Sequence, residues 1–240
     1  MRVKAVIAYD GSAFLGFQKQ KVTKNTVTTA IEEALLSLGI DSPIRGSGRT
    51  DKGVHASNQV IDFELPIFWS DLEKLKWVLN QKLDGIYFKH VSLVENSFHA
   101  RFSAKKRVYR YVFKTTTPSV FERNYISYYP KFDKELLQKS LQTFQGEHDF
   151  RYFIKTGSVT HTNIRTIYRV YYKNYKKYHF IYFEANGFLR SQVRMMIEFA
   201  MGVAQNRFTL REQIEQLNLK KRYSTKLAPP QGLYLARILY

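Results

Sequence analysis

The same succession of strand and helix patterns occurs twice along the chain, and it constrains the fold more than any other feature. In the first half, alternation in RVKAVIAY predicts a strand, and helical spacing in TVTTAIEEALLSLG predicts a helix that stops at Gly39. Strands are predicted at SPIRGSG, NQVIDFEL and GIYFKHVSLV. The helix SDLEKLKWVLNQKL precedes the last strand and is predicted to open with a Ser70–Glu73 capping box. The resulting order, β-α-β-β-α-β, is the ferredoxin-like pattern.

The second half repeats this order with a strand at KKRVYRYVFK and a helix at DKELLQKSLQTFQG. Two paired strands are predicted around a turn near Asn174. Helices are predicted at LRSQVRMMIEFAMGVAQ and TLREQIEQLN, and a closing strand at GLYLARILY. We therefore expect an α+β protein with two similar ferredoxin-like domains, residues 1–103 and 104–240, separated by a cleft. The sheets should be mostly antiparallel.

The formal net charge of +18 is distributed unevenly between these halves. Residues 1–103 hold 13 basic and 11 acidic side chains, whereas residues 104–240 hold 25 and 9. Such an excess favours a polyanionic partner, although a basic surface can also serve solubility alone. The 17 tyrosines and 18 phenylalanines add surface on which bases could stack, though most should be core.

Other features of the composition point to a cytoplasmic protein. The chain has no cysteine, which excludes disulfides and thiolate metal sites and fits a reducing compartment. Its six histidines are scattered, so no zinc site is predicted. The first residues, MRVKAVIAYDG, lack the apolar core of a signal peptide, and no apolar run has the length of a membrane span.

The glycine-rich segment GSGRTDKGVHASNQV, residues 46–60, places a single acid, Asp51, near its centre. Neither GxxxxGK[ST] nor GxGxxG before a helix occurs, which argues against an ATP or NAD site. Cationic neighbours favour the ionised form of Asp51, which could then act as a nucleophile or a base. The pattern alone leaves open that Asp51 merely caps a turn.

Two further segments carry candidate binding residues. Tyr109 in RVYRY shares a strand face with Arg107, and it is either a residue that stacks on a base or an ordinary half-buried tyrosine. Arg190 and Arg194 in NGFLRSQVRMM are predicted one turn apart on a helix. They could hold a phosphate or a carboxylate, or form a solvated basic face.

Six blocks in order make the chain resemble the tRNA pseudouridine synthase A family over nearly its whole length. The blocks are YDGSAFLGFQKQ, GRTDKGVHA, FHARFSAKKRVYRY, GEHDF, GFLRSQVRMM and APPQGLYL. The resemblance implies a homodimer without cofactor or metal that isomerises uridine to pseudouridine in the anticodon stem-loop of tRNA, at nucleotides 38, 39 and 40. It also implies that the active site lies in the cleft between the two domains.

The resemblance assigns roles to individual residues. Asp51 matches the catalytic aspartate, and Tyr109 matches a tyrosine that packs on the target base. Arg194 matches an arginine that pairs with the aspartate, and Arg49 one that holds the target nucleotide out of the stem. His55 and Arg190 complete the set of candidate substrate-binding residues.

The sequence departs from the family pattern at several positions, which are Ser47, Lys52, Asn58, Arg190 and Glu198. Lys52 and Arg190 could alter RNA contacts, and Glu198 puts the packing of its helix in doubt. Two alternatives therefore remain open at this stage: a non-catalytic tRNA-binding or tRNA-chaperone module on the same fold, and a paralogue with a different target uridine.

Overall fold

The computed structural model describes residues 1–157 and 160–240, which divide into two compact units. Unit 1 contains Met1–Lys105 together with Tyr234–Tyr240, and unit 2 contains Lys106–Leu233. The closing strand, which the sequence analysis assigned to the second domain, therefore belongs almost entirely to unit 1. The main chain otherwise passes from one unit to the other close to the charge boundary at residue 103.

Unit 1 has the element order β-α-β-β-α-β followed by the returning C-terminal strand. Its elements are β1 (Arg2–Tyr9), α1 (Val27–Leu36), β2 (Arg45–Gly46), β3 (His55–Glu64), α2 (Leu72–Lys82) and β4 (Ile86–Leu93). Strand β1 pairs antiparallel with β3 on one side and with β4 on the other. The short β2 pairs antiparallel with β3, whereas the last strand of the chain, Leu233–Leu239, runs parallel to β3.

The helix starts of unit 1 follow from side-chain caps. Thr26 caps α1 by accepting a hydrogen bond from the amide of Thr29 at 3.2 Å. Helix α2 begins after Asp71, whose carboxylate accepts from the amide of Lys74 at 2.9 Å. The predicted Ser70–Glu73 capping box is therefore wrong by one residue, because the adjacent aspartate occupies the N-cap.

Unit 2 is built on mostly antiparallel strands. Its elements are β5 (Lys106–Lys114), β6 (Ser127–Tyr128), α3 (Lys134–Gln142), β7 (Gly146–Asp149), β8 (Ile164–Tyr175), β9 (Tyr178–Ala185), α4 (Gln192–Ala204) and α5 (Leu210–Leu217), and the final strand of the chain is β10. The strand order is β5-β9-β8-β7, and β6 adds to β5 in parallel. The predicted hairpin near Asn174 is present, with Tyr175 opposite Tyr178.

Helix α4 is almost entirely buried, and Glu198 on it is paired. The Tyr129 hydroxyl donates to one carboxylate oxygen of Glu198 at 3.0 Å, and Arg207 donates to the other at 3.0 Å. The doubt about packing at this position is thus removed, because the carboxylate has partners in its half-buried site. At 13 residues α4 is the longest helix in the described part of the chain, and no helix there could cross a membrane.

Candidate active site

The backbone of the glycine-rich loop is fixed by the strands that flank it. The amide of Ser47 donates to the carbonyl of Val60 at 2.8 Å, and the fully buried Gln59 side chain donates to the carbonyl of Gly48 at 2.7 Å. A Cβ on Gly46 would lie 2.5 Å from the Phe17 ring, so this close approach requires glycine. These contacts tie the backbone of the loop to β3 and to the Phe17 ring.

Asp51 is half-buried at the first position of a tight turn. The amide of Val54 donates to the Asp51 carbonyl at 3.1 Å, and Gly53 takes a φ of 75°, which favours glycine. The preceding Thr50 is buried, and its hydroxyl is hydrogen-bonded to the Tyr9 hydroxyl at 2.8 Å. The turn therefore presents the Asp51 carboxylate from a rigid support, while Lys52 at the second turn position is exposed.

His55 lies behind the loop and supports its backbone. Its side chain is only 2 % exposed, and its ring stacks on Tyr234 with centroids 4.7 Å apart. The amide of Gly11 donates to Nδ1 of His55 at 3.0 Å, and the Asp10 carboxylate lies 3.3 Å from the same nitrogen. The ring is therefore packed inside unit 1, next to the backbone of the loop.

Arg49 is an exposed cation two residues before Asp51. Partial burial of its guanidinium and the nearby positive charge of Arg101 both lower its pKa. Because arginine stays protonated in spite of such a shift, the side chain remains a fixed donor for a phosphate or carboxylate.

In unit 2, Tyr109 lies on β5 with only 7 % of its surface exposed. Its ring meets the edge of Phe188 at a centroid distance of 5.2 Å and an interplanar angle of 88°. The same strand position pairs with Phe183 on β9. The edge contact with Phe188 and the strand pairing give the ring a defined position in unit 2.

Arg194 is on the first turn of α4, where its backbone and side chain both bind Ala228. Its Nε donates to the Ala228 carbonyl at 2.7 Å, and the Ala228 amide donates to the Arg194 carbonyl at 3.1 Å. Arg190 is not on this helix, so the predicted one-turn pairing of Arg190 and Arg194 is wrong. The helix starts only after Ser191, which has a φ of 59°, and the exposed Arg190 lies in the preceding turn.

Within unit 1, Arg49 and Asp51 lie on one loop and His55 begins the strand that follows it, and within unit 2 Tyr109 and Arg194 have defined packing partners. Sequence reasoning missed Gly11 and Gln192, which buttress these segments. The Gln192 side chain accepts from the Leu189 amide at 2.7 Å. Neither residue has a local signal, because each acts through a contact formed on folding. In residues 1–157 and 160–240 no cluster of His, Asp or Glu side chains could hold a metal ion.

Comparison with known proteins shows the family of the chain. The sequence profile described as tRNA pseudouridine synthase matches residues 5–103 and 141–240. The chain belongs to this family. It is therefore an isomerase that acts on uridine in tRNA.

Several relatives of known name match this chain over almost its whole length. The tRNA pseudouridine synthase A of Helicobacter hepaticus is 42% identical over 99% of this chain and 98% of its own length. The enzymes of the same name from Wolinella succinogenes and Phytoplasma mali are 38% and 34% identical, over 98% and 99% of this chain and 93% and 98% of their own lengths. A chain from a crystal structure of a Cbf5–Nop10–Gar1 complex aligns at 12% identity and a TM-score of 0.36, over 83% of this chain and 45% of its own length.

Proposed function

We propose that the protein converts uridine to pseudouridine at nucleotides 38, 39 and 40 in the anticodon stem-loop of tRNA, with Asp51 as the nucleophile on a flipped-out uridine. The observation that carries the proposal is the half-buried Asp51 at the head of a turn held by buried Thr50 and by Gly53. A surface that bound only phosphates would gain nothing from a carboxylate presented in this way.

The reaction is an isomerisation with no net redox change or hydrolysis. The N1–C1′ bond breaks, the uracil turns, and a C5–C1′ bond forms; the proton on C5 leaves and N1 gains one. The side chains of the protein are chemically sufficient for these steps, and we propose that no cofactor takes part. Extruding the nucleotide costs a few kcal/mol, which phosphate contacts from the basic second half can offset.

Three further residues complete the proposed machinery. Tyr109 stacks on the extruded uracil and is the candidate acceptor for the C5 proton. Arg49 holds the flipped nucleotide through its phosphate, and Arg194 contributes a cation to the binding of the substrate. His55 contributes by supporting the loop and Arg190 by an exposed contact with RNA.

Tritium release from tRNA labelled at uridine C5 tests the assignment of Asp51. Without added cofactor the wild-type protein should release tritium, and Asp51→Asn should reduce the rate by about a thousandfold or more. Asp84→Asn, an exposed aspartate of the same unit, is the control and should keep the wild-type rate. Tritium release by Asp51→Asn at the wild-type rate would refute the assignment of Asp51 as the nucleophile. Tight tRNA binding by the wild type without any release would favour a non-catalytic module instead.

Three finer features belong to the same proposal: two ferredoxin-like domains, a homodimer, and cytoplasmic action on the anticodon stem-loop. The order β1-α1-β2-β3-α2-β4 in unit 1 supports the first of these. Light scattering should give twice the chain mass of 28.3 kDa, and a monomer mass would contradict the homodimer. Mapping pseudouridine in total tRNA from cells that lack the protein should show loss at the three named nucleotides, and loss elsewhere would indicate a paralogue.

A further inference from the structure

A compact turn at residues 98–103 joins the last part of unit 1 to β5. The amide of Ser103 donates to the His99 carbonyl at 2.9 Å, and the amide of His99 donates to the Ser103 hydroxyl at 3.1 Å. The amide of Arg101 donates to Nδ1 of His99 at 3.1 Å. Three hydrogen bonds within so short a segment give its side chains defined positions.

The turn presents an aromatic ring and a cation on the surface. Phe102 is 75% exposed, and its ring lies 4.4 Å from the His99 ring, centroid to centroid. The guanidinium carbon of Arg101 is 5.4 Å from the Phe102 centroid. An exposed ring beside a guanidinium suits a nucleotide, because a base can stack on the ring while the cation contacts the phosphate.

The turn is anchored to the two strands from which the catalytic loop emerges. The fully buried Asp62 on β3 accepts from the Ala100 amide at 2.8 Å, and it lies opposite Arg45 of β2 in the strand register. The Nε of Arg45 donates to Asp62 at 2.8 Å, and its Nη2 donates to the Phe98 carbonyl at 3.3 Å. The Tyr240 hydroxyl donates to the Ala100 carbonyl at 2.8 Å. Arg45 and Asp62 thus bind the turn at residues 98–103, and they lie on the two strands that flank the glycine-rich loop.

The charge of Arg101 also reaches Arg49 on the catalytic loop, where it lowers the pKa of that guanidinium after the larger effect of burial. Two guanidiniums that repel each other in this way form a favourable pair for an RNA phosphate, which would interact with both.

We propose that Arg101 and Phe102 form a binding subsite for the nucleotide next to the target uridine, in which Arg101 contacts its phosphate and Phe102 stacks on its base. Asp62 is the positioning residue that holds this subsite against the catalytic loop. The inference rests on the proposed function, because the neighbouring nucleotide is defined by the uridine that Asp51 attacks.

Steady-state kinetics and tRNA binding by Arg101→Ala and Phe102→Ala test the subsite. Phe102→Ala should raise KM and Kd about tenfold while kcat changes less than about twofold. Arg101→Ala should weaken binding and reduce the slope of log K against log salt by about one phosphate. The matched controls are Phe121→Ala and Arg123→Ala, an exposed phenylalanine and arginine of unit 2, which should keep wild-type KM and slope.

The positioning role of Asp62 requires variants that separate it from simple loss of fold. Asp62→Asn keeps an acceptor for the Ala100 amide and should raise KM less than Asp62→Ala, with kcat retained. Tyr240→Phe removes only the second anchor of Ala100 and keeps the packing, so it should raise KM by about two- to threefold. In a double-mutant cycle, Tyr240→Phe should add little to Phe102→Ala, because both act on one contact.

The proposed subsite would be refuted if Arg101→Ala and Phe102→Ala both kept the wild-type KM and the wild-type salt dependence of tRNA affinity. A change of oligomeric state in Phe102→Ala with unchanged tRNA affinity would overturn it too, since it would assign the ring to a protein interface. Additive effects of Tyr240→Phe and Phe102→Ala would overturn the positioning role. Failure of the wild type to release tritium would refute only the proposed function, because direct tRNA binding still measures the subsite.

Discussion

At the scale of single residues, the glycine-rich loop of Asp51 depends on a glycine far from it in sequence. Gly11 is 44 positions before His55, yet its amide donates to the imidazole of that residue. A Cβ built on Gly11 would lie 2.1 Å from the Val54 carbonyl oxygen, which belongs to the turn of Asp51. The segment after β1 therefore packs closely against the Asp51 turn and holds its backbone in position.

Gly11→Ala should lower kcat by about tenfold or more, because the added methyl group pushes the Asp51 turn out of position. It should also reduce the free energy of unfolding by about 1–3 kcal/mol through overpacking. The control is Gly39→Ala, which places alanine at a φ of 74° at the end of α1. That variant should lose about 1 kcal/mol of stability but keep kcat. Equal kcat values in both variants would contradict this positioning role of Gly11.

At the scale of elements, an ion pair between a buried lysine and a partly exposed glutamate joins the segment after β5 to the strands of unit 2. Lys114 on β5 is only 4% exposed and donates to Glu122 at 2.9 Å. The amide of Ser119 donates to the same carboxylate at 3.0 Å, and the Tyr178 hydroxyl on β9 at 2.9 Å. Hydrogen bonding from Lys114, with smaller effects of the other two donors, lowers the pKa of Glu122 to about 2.

This network predicts a pH-dependent stability. Because the pKa of Glu122 is depressed in the folded protein, its contribution is fully present above about pH 4.5 and disappears as the pH falls toward about 2. Denaturant unfolding should therefore show Glu122→Gln less stable than the wild type at pH 7, with the gap shrinking from pH 5 to pH 3. The exposed Glu33→Gln should show no comparable gap. A gap that is constant with pH would contradict the ionic role.

The elements that the sequence predicts well are those whose signals are local. Helix α5 has its Thr209–Glu212 capping box, and the alternation of apolar residues predicts β1 and the β8–β9 hairpin. The start of α4 was predicted too early, because the positive φ of Ser191 and the contact of Gln192 with Leu189 appear only in the folded chain. The destination of β10 was missed for the same reason, since a parallel pairing with β3 has no local signal.

The residues of the candidate site also divide into those with a local sequence signal and those that depend on contacts between distant segments. The glycine pattern made Asp51 a candidate but left open that it only caps a turn, and the family resemblance assigned the catalytic role. The structure gives Gly53 the positive φ that such a turn requires. The enclosure of His55 by Gly11 and Tyr234 joins segments distant in sequence. The pattern of the loop, in which histidine follows two residues after glycine, could not distinguish a residue that contacts substrate from one that supports the backbone.

At the scale of the whole molecule, the net charge of +18 is the feature that should govern the encounter with tRNA. Arg190, Lys105 and Lys106 are all exposed. They lie close to Arg194 or to Tyr109 in sequence, so phosphates of a bound tRNA should reach them if these residues surround the target uridine. Charges remote from the catalytic segments should matter less, since contacts with phosphate act at short range in physiological salt.

Replacing Arg190, Lys105 and Lys106 together by glutamine should therefore flatten the salt dependence of tRNA affinity. If each cation neutralises one phosphate, the slope of log K against log salt should fall by about two to three units. The control carries glutamine at Lys24, Lys74 and Lys82, three exposed lysines of unit 1, and has the same net charge. Since both triple variants lose the same total charge, a long-range effect of net charge would flatten the two slopes equally. A larger change in the first variant alone would assign the contacts to the three named residues, and an unchanged slope there would locate the phosphate-binding surface elsewhere.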